Sequence, residues 1–156
     1  MRLLVLFDVD RTLFVSSDSL YGKALAAAVH EVYGLRLSED AFARTDNAGE
    51  TARGGVRKLL GAERVDDATI DAGLARWTDQ LTDNYLELLA AADTNRWKAA
   101  PGAAETLERL GREHRLALLT GNPERMARAR MERLGLAEFF PEGQGAFGSD
   151  GGNAPT

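Results

Sequence analysis

Leu3-Leu4-Val5-Leu6-Phe7-Asp8-Val9-Asp10-Arg11-Thr12-Leu13 is the stretch from which the rest of the sequence can be read. Five apolar residues in a row, without alternation, predict a strand buried on both faces, as in a parallel sheet with helices on either side. The run stops at two acids one residue apart, at the carboxyl end of that strand, where open α/β sheets place their ligands. Two carboxylates so close on a loop repel each other unless a cation or hydrogen-bond donors balance them. Acids at a strand end also serve plain solubility or turn formation. The pair equally suits phosphoryl chemistry, with Asp8 as a nucleophile and Asp10 as the acid and base that serves the leaving oxygen and then water. A hard cation such as Mg²⁺ prefers oxygen ligands of this kind.

Downstream, Leu20 to Tyr33 reads as a helix closed by Gly34. Ser38 is a candidate cap for a short second helix, with Glu39 and Asp40 in its first turn. Thr45 to Gly49 reads as a turn, and Glu50 to Leu60 as a weaker helix loosened by Gly54 and Gly55. Asp67 is the expected cap of the longest helix, whose apolar face is Ile70, Leu74, Trp77, Leu81, Tyr85 and Leu88. Trp77 and Tyr85 on that stripe read as core. Pro101-Gly102 opens another helix, with Leu107 and Leu110 inward. Arg115 to Leu119 is a second apolar strand, ending in Thr120-Gly121-Asn122-Pro123, and Pro123 suits the first position of the next helix. That helix carries Met126, Met131 and Leu134 and ends at Gly135. Gly145-Ala146-Phe147 is a short third strand. Strand–helix alternation implies parallel strands joined by right-handed crossovers. The expected fold class is therefore α/β, a Rossmann-like parallel three-layer core over residues 1–15 and 98–156. Residues 16–97 form a helical block too long for a simple crossover, expected as an inserted cap over the carboxyl ends of the strands.

Composition narrows the function classes. The chain has 156 residues, 44% hydrophobic and 28% charged, enough for a packed core. A net charge of −5, with no basic stripe, argues against a nucleic-acid binder. Cysteine is absent, which excludes disulfides, thiolate metal sites and cysteine nucleophiles. His30 and His114 lack metal-like spacing and read as surface or helix-end residues. No apolar stretch approaches the roughly 20 residues of a membrane span. The apolar start is too short for a secretory signal, so the expected location is cytoplasmic.

Thr120-Gly121-Asn122, at the end of the second strand and before a helix, offers a hydroxyl, a bare backbone amide and a helix N-terminus for an anion. By itself the tripeptide is also ordinary turn chemistry. Placed after a buried strand and downstream of Asp8 and Asp10, it completes a recognisable pattern. Phe7-Asp8-Val9-Asp10-Arg11-Thr12-Leu13 and Leu118-Leu119-Thr120-Gly121-Asn122 resemble the first and second motifs of the haloacid dehalogenase-like superfamily. The similarity is to its phosphoglycolate phosphatase-like and β-phosphoglucomutase-like branch, which carries a helical cap after the first strand. The resemblance implies a Mg²⁺-dependent phosphatase of small phosphorylated metabolites, working through an aspartyl phosphate. It makes Asp8 nucleophile and metal ligand, and Asp10 acid/base and a metal ligand through its backbone carbonyl. Thr120, Gly121 and Asn122 then bind phosphate, and Arg44-Thr45-Asp46 resembles a cap loop that faces substrate. Gly145 to Asp150 resembles the third strand and its following loop.

Three departures from the family pattern frame the expectations. Arg11 stands where glycine is usual, and either adds phosphate affinity or obstructs the turn. The basic third motif, usually lysine, is matched best by Arg130, with Arg128 as the alternative. Arg125, Arg128, Arg130 and Arg133 also read as one solvated helix face. The fourth motif, an acidic pair after a further strand, has no match before Thr156. The expectation is weak Mg²⁺ binding and low activity, as a fragment, a chain completed by a partner, or a degenerate relative. An unpaired, apolar edge at Leu3 to Phe7 would invite self-association. A non-catalytic phosphate- or partner-binding relic remains open, as do a phosphomutase and a haloacid dehalogenase. The dehalogenase has no need of an acid at Asp10.

Overall fold

The computed structural model describes residues 1–38, 41, 45 and 49–150. In chain order they form β1 (Leu4–Phe7), α1 (Ser19–Tyr33), α2 (Ala52–Ala62), α3 (Asp67–Ala91), α4 (Ala103–Glu113), β2 (Arg115–Thr120), α5 (Glu124–Arg133), a 3-10 turn (Ala137–Phe139) and β3 (Gly145–Phe147). The fold class is α/β, with one parallel sheet in the order β1-β2-β3. The short helix expected after Ser38, with Glu39 and Asp40, lies outside the described residues. No helix among the described residues is long and apolar enough to cross a membrane.

The chain divides into two compact units, Met1–Ser17 with Asp93–Thr156, and Asp18–Ala92. Residues 16–17 and 93–97, read from sequence as part of the helical block, belong to the sheet unit. Backbone pairing explains this: Phe14 bridges Ala99, Val15 N–H donates to the Lys98 carbonyl, and Lys98 N–H donates to Ser16 Oγ at 2.7 Å.

In the sheet unit, Leu4 pairs with Arg115 and Phe7 with Leu118, while Leu118 pairs with Gly145 and Thr120 with Phe147. Two crossovers of the same hand, stepping in one direction along the sheet, put α4 and α5 on the same face. Val5, Phe7, Leu116, Leu118 and Phe147 pack there with Ala103, Leu107, Ala127, Met131, Leu136 and Phe140. Phe7 and Phe140 meet edge to face, centroids 6.0 Å apart. The expected burial of Leu3 to Phe7 on both faces is corrected: Leu4 and Leu6 remain 59% and 49% exposed. The described helices of this unit cover one face only, so β1 alternates between half-buried and exposed residues.

In the helical unit, α1 and α3 form the principal pair. Small residues Ala24 and Ala28, with Leu25 and Val29, are the buried positions of α1. From α3 come Ile70, Leu74, Trp77, Leu81 and Tyr85. Leu89 takes the last buried position expected of Leu88, which is half-buried. Gly73 makes room for the Tyr33 ring, whose hydroxyl donates to the Ile70 carbonyl at 3.0 Å. Burial pushes the Tyr33 pKa up. The cap of α3 is Asp66, not Asp67: its side chain accepts from Thr69 N–H, and Asp67 is the first helical residue. Asp18 caps α1 and also accepts from the Tyr85 hydroxyl at 2.7 Å, joining the start of α1 to α3. Gly34 ends α1 in the left-handed conformation, φ 70°.

Candidate active site

Parallel pairing brings three loops to the carboxyl ends of adjacent strands: 8–14 after β1, 121–123 after β2 and 148–150 after β3. The first is a tight, internally bonded turn. Thr12, Leu13 and Phe14 N–H groups all donate to the Val9 carbonyl, and Arg11 N–H donates to the Phe14 carbonyl. Val9 is buried and anchors the turn, so Asp8, Asp10, Arg11 and Thr12 face solvent. Thr12 Oγ1 donates to Asp8 Oδ2 at 3.2 Å, which leaves Asp8 Oδ1 open.

Asp10 is the meeting point. Its Oδ1 accepts from Arg130 Nη1 at 2.9 Å, and its Oδ2 accepts from Asn122 Nδ2. Arg130 is 2% exposed, and its guanidinium lies 5.3 Å from the Phe14 ring centroid. The sequence leaves Arg130 open between a site cation and a solvated helix face; burial and the ion pair put it inside. Arg128, the alternative, is occupied elsewhere. It pairs with Glu124, donates to the Phe140 and Gln144 carbonyls, and stacks over Phe147 at 5.4 Å. That is a staple between α5 and the segment leading to β3. Arg125 and Arg133 are exposed.

Thr120 and Asn122 are buried beside one another: Thr120 Oγ1 accepts from the Asn122 N–H at 3.2 Å and from its side-chain amide at 3.3 Å. Pro123 sits one position earlier than expected, as the cap residue of α5, and provides no side-chain cap. Ser149 does so instead, its Oγ accepting from Glu124 N–H at 3.2 Å. Gly148 N–H donates to the Asn122 carbonyl at 3.0 Å. A Cβ on Gly148 would stand 1.9 Å from the Gly121 carbonyl oxygen, so only glycine fits. Gly148 and Ser149 therefore brace the Thr120-Gly121-Asn122 loop. The sequence signal for this was the equal placement of Gly121 and Gly148 just past two paired strands, readable only once the register is known.

Thr45 lies in the helical unit, where its hydroxyl donates to the Ala41 carbonyl at 3.3 Å. Asp46 and Arg44 lie outside the described residues. His30 is exposed in the last turn of α1, and His114 ends α4. Among the described residues no three His, Asp or Glu side chains gather as a metal cluster. The oxygen donors that remain for a hard cation are the open Asp8 carboxylate and backbone carbonyls. These fit a Mg²⁺ that keeps most of its waters and is shared with a substrate phosphate, better than one held by protein alone.

The site and sheet define an α/β protein with an acidic loop, a buried cation and a hydroxyl–amide loop at the carboxyl ends of parallel strands. The model of the haloacid dehalogenase-like hydrolase family matches residues 5–154, and the chain belongs to that family. Among solved structures it resembles the HAD hydrolase, family IA, variant 3 from Entamoeba histolytica HM-1:IMSS, at 20% identity and a TM-score of 0.59, over 99% of this chain and 64% of that one. It also resembles a hydrolase from Pseudomonas syringae, at 22% identity and a TM-score of 0.58, over 97% of this chain and 62% of that one. A third is a "predicted phosphoglycolate phosphatase" from Haemophilus somnus 129pt, with 22% identity, a TM-score of 0.56, and 94% of this chain and 62% of that one covered. The chain thus spans under two thirds of the length of these relatives, and the likeness is one of fold. No curated protein matches it.

Proposed function

We propose that the chain acts on small phosphate monoesters as a phosphatase-type hydrolase, with Asp8 as the nucleophile. The observation that carries this reading is the buried Arg130, joined with Asn122 on Asp10, two residues from the open carboxylate of Asp8. Asp8 Oδ1 attacks phosphorus, the bond from phosphorus to the leaving oxygen breaks, and the Asp10 carboxyl gives that oxygen its proton. In the second half Asp10 takes a proton from water, whose oxygen attacks the aspartyl phosphate, and the bond from phosphorus to Asp8 breaks. Arg130 and Asn122 hold the two Asp10 oxygens in place. Thr120 and the Gly121 amide hold the phosphoryl oxygens, and Arg130 supplies positive charge on the buried side. The Asp8 carboxylate and the Asp10 main-chain carbonyl would hold Mg²⁺. When bound, that ion draws charge from the phosphoryl oxygens and screens them from Asp8. Thr45 and Asp46, in the helical unit, are the residues we assign to substrate selection.

A second reading, phosphate binding without turnover, is favoured by one observation: no third acid joins Asp8 and Asp10 among the described residues. One experiment separates the two. The purified chain is given an aryl phosphate with and without Mg²⁺, and in parallel beryllium fluoride with ¹⁹F NMR. The first reading expects Mg²⁺-dependent phosphate release and a fluoride adduct. Asp8→Asn should remove the adduct and lower turnover by at least ~10³-fold. An adduct without turnover selects the second reading; no adduct on the unaltered chain overturns the first.

A further inference from the structure

Arg11 is a non-glycine residue in the left-handed region, φ 60°, in the middle of the acidic loop. L-residues other than Gly, Asn and Asp rarely take that conformation, because Cβ crowds the backbone. Strain of this kind, kept at a site, is a reason to look for what the side chain does. Arg64 shares the conformation, in the turn that ends α2. The sequence leaves Arg11 between obstructing the turn and adding anion affinity. Obstruction is ruled out: the turn forms, with Arg11 N–H donating to the Phe14 carbonyl at 2.8 Å. The side chain is exposed, and it makes no hydrogen bond or ion pair among the described residues. Asp8 and Asp10 bring two negative charges, and Arg130, the one buried cation among the described residues, is paired with Asp10. Without Arg11 the loop's own side chains sum to a net charge of about −1, on a chain of net −5; Arg11 brings the protein's own share to about zero, and Mg²⁺ bound at Asp8 would add to it.

We infer that Arg11 is a specificity-determining residue that selects phosphate monoesters carrying a second anionic group. This deepens the function proposed above and rests on it. The phosphoryl group has Thr120, Gly121 and Arg130; the exposed guanidinium of the residue that follows Asp10 is the fork for another carboxylate or phosphate. The strained backbone at Arg11 is maintained for that contact.

The test uses two non-hydrolysable probes, 3-phosphonopropionate and propylphosphonate, which differ in the terminal carboxylate. Their affinities are measured by calorimetry for the unaltered chain, Arg11→Gly and Arg11→Lys. The unaltered chain should prefer the carboxylate probe. Arg11→Gly should lower that preference about tenfold, while its melting temperature rises by roughly 2–4 °C as the strain is relieved. Arg11→Lys should keep part of the preference, because an ammonium supplies the charge but not the fork, without the gain in stability. Equal affinity of the unaltered chain for both probes, or an unchanged preference in Arg11→Gly, overturns the assignment and leaves the phosphatase reading standing. No binding of either probe to the unaltered chain overturns both.

Discussion

At the scale of single residues, the acidic pattern was legible and its partners were not. Asp8-x-Asp10-x-Thr12 after an apolar run points to a site because the run, the strand end and the acids are contiguous. The contact of Arg130 with Asp10 joins positions 120 residues apart, and only the strand order brings α5 back to the first loop. Gly148 belongs to the same class. As one glycine among 16 it carries no signal until β3 is registered against β2. Its predicted effect is large. Gly148→Ala forces Cβ against a backbone carbonyl, which cannot rotate away as a side chain would. We expect a loss of at least about 2 kcal/mol and weakened binding of inorganic phosphate. Gly61→Ala is the control: that glycine is in a helix with open space around it, and alanine should stabilise the chain by up to ~1 kcal/mol. Thermal melts of the two variants moving in the same direction would contradict this account.

At the scale of elements, helix existence followed from the apolar stripe, while helix ends followed from hydrogen bonds the stripe does not report. Asp66 and Asp67 are both good caps by residue type. The choice between them is made by the extended backbone of Asp66 and its bonds to Thr69, with Oδ1 accepting from N–H at 3.0 Å and Oδ2 from Oγ1 at 2.7 Å. Those bonds, the backbone one first, hold the Asp66 pKa below its ordinary value of 3.8. The ionised form is therefore favoured in the folded state. Its contribution is fully present above 3.8 and is lost as pH falls through the lower, folded value. Helical circular dichroism of the chain should accordingly decline on acidification below that range. Asp66→Asn keeps a capping oxygen but does not titrate, so its acid decline should be shallower. Identical acid profiles for the two would assign the transition to other carboxylates. The continuous run at Leu3 to Phe7 misled in the opposite way, because continuity was read as two-sided burial when only the covered face of β1 packs. Sequence alone does not say how many helices sit on each side of a sheet.

At the scale of the whole molecule, the described helices of the sheet unit dress one face of the sheet and leave the other bare. Leu4, Leu6 and Leu119 are 59%, 49% and 48% exposed, and the register aligns them on the side opposite α4 and α5. β1 is also an edge strand in the order β1-β2-β3. An exposed apolar face that runs out to an unpaired strand edge is the arrangement that promotes association between copies of a chain. The expected behaviour is concentration-dependent self-association, with binding of a hydrophobic dye by the folded state. Leu4→Lys with Leu6→Glu puts charge on that face without touching Val5 or Phe7, which pack against the helices. Surface changes of this kind should alter stability by no more than roughly 0.5 kcal/mol each. Sedimentation of the double variant should shift toward monomer, and dye fluorescence should fall. The acidic loop lies beyond the end of β1, so beryllium fluoride should still bind at Asp8. An unchanged sedimentation profile and unchanged dye binding would mean that the bare face is not what drives association. A large fall in melting temperature would mean that this face is packed in solution.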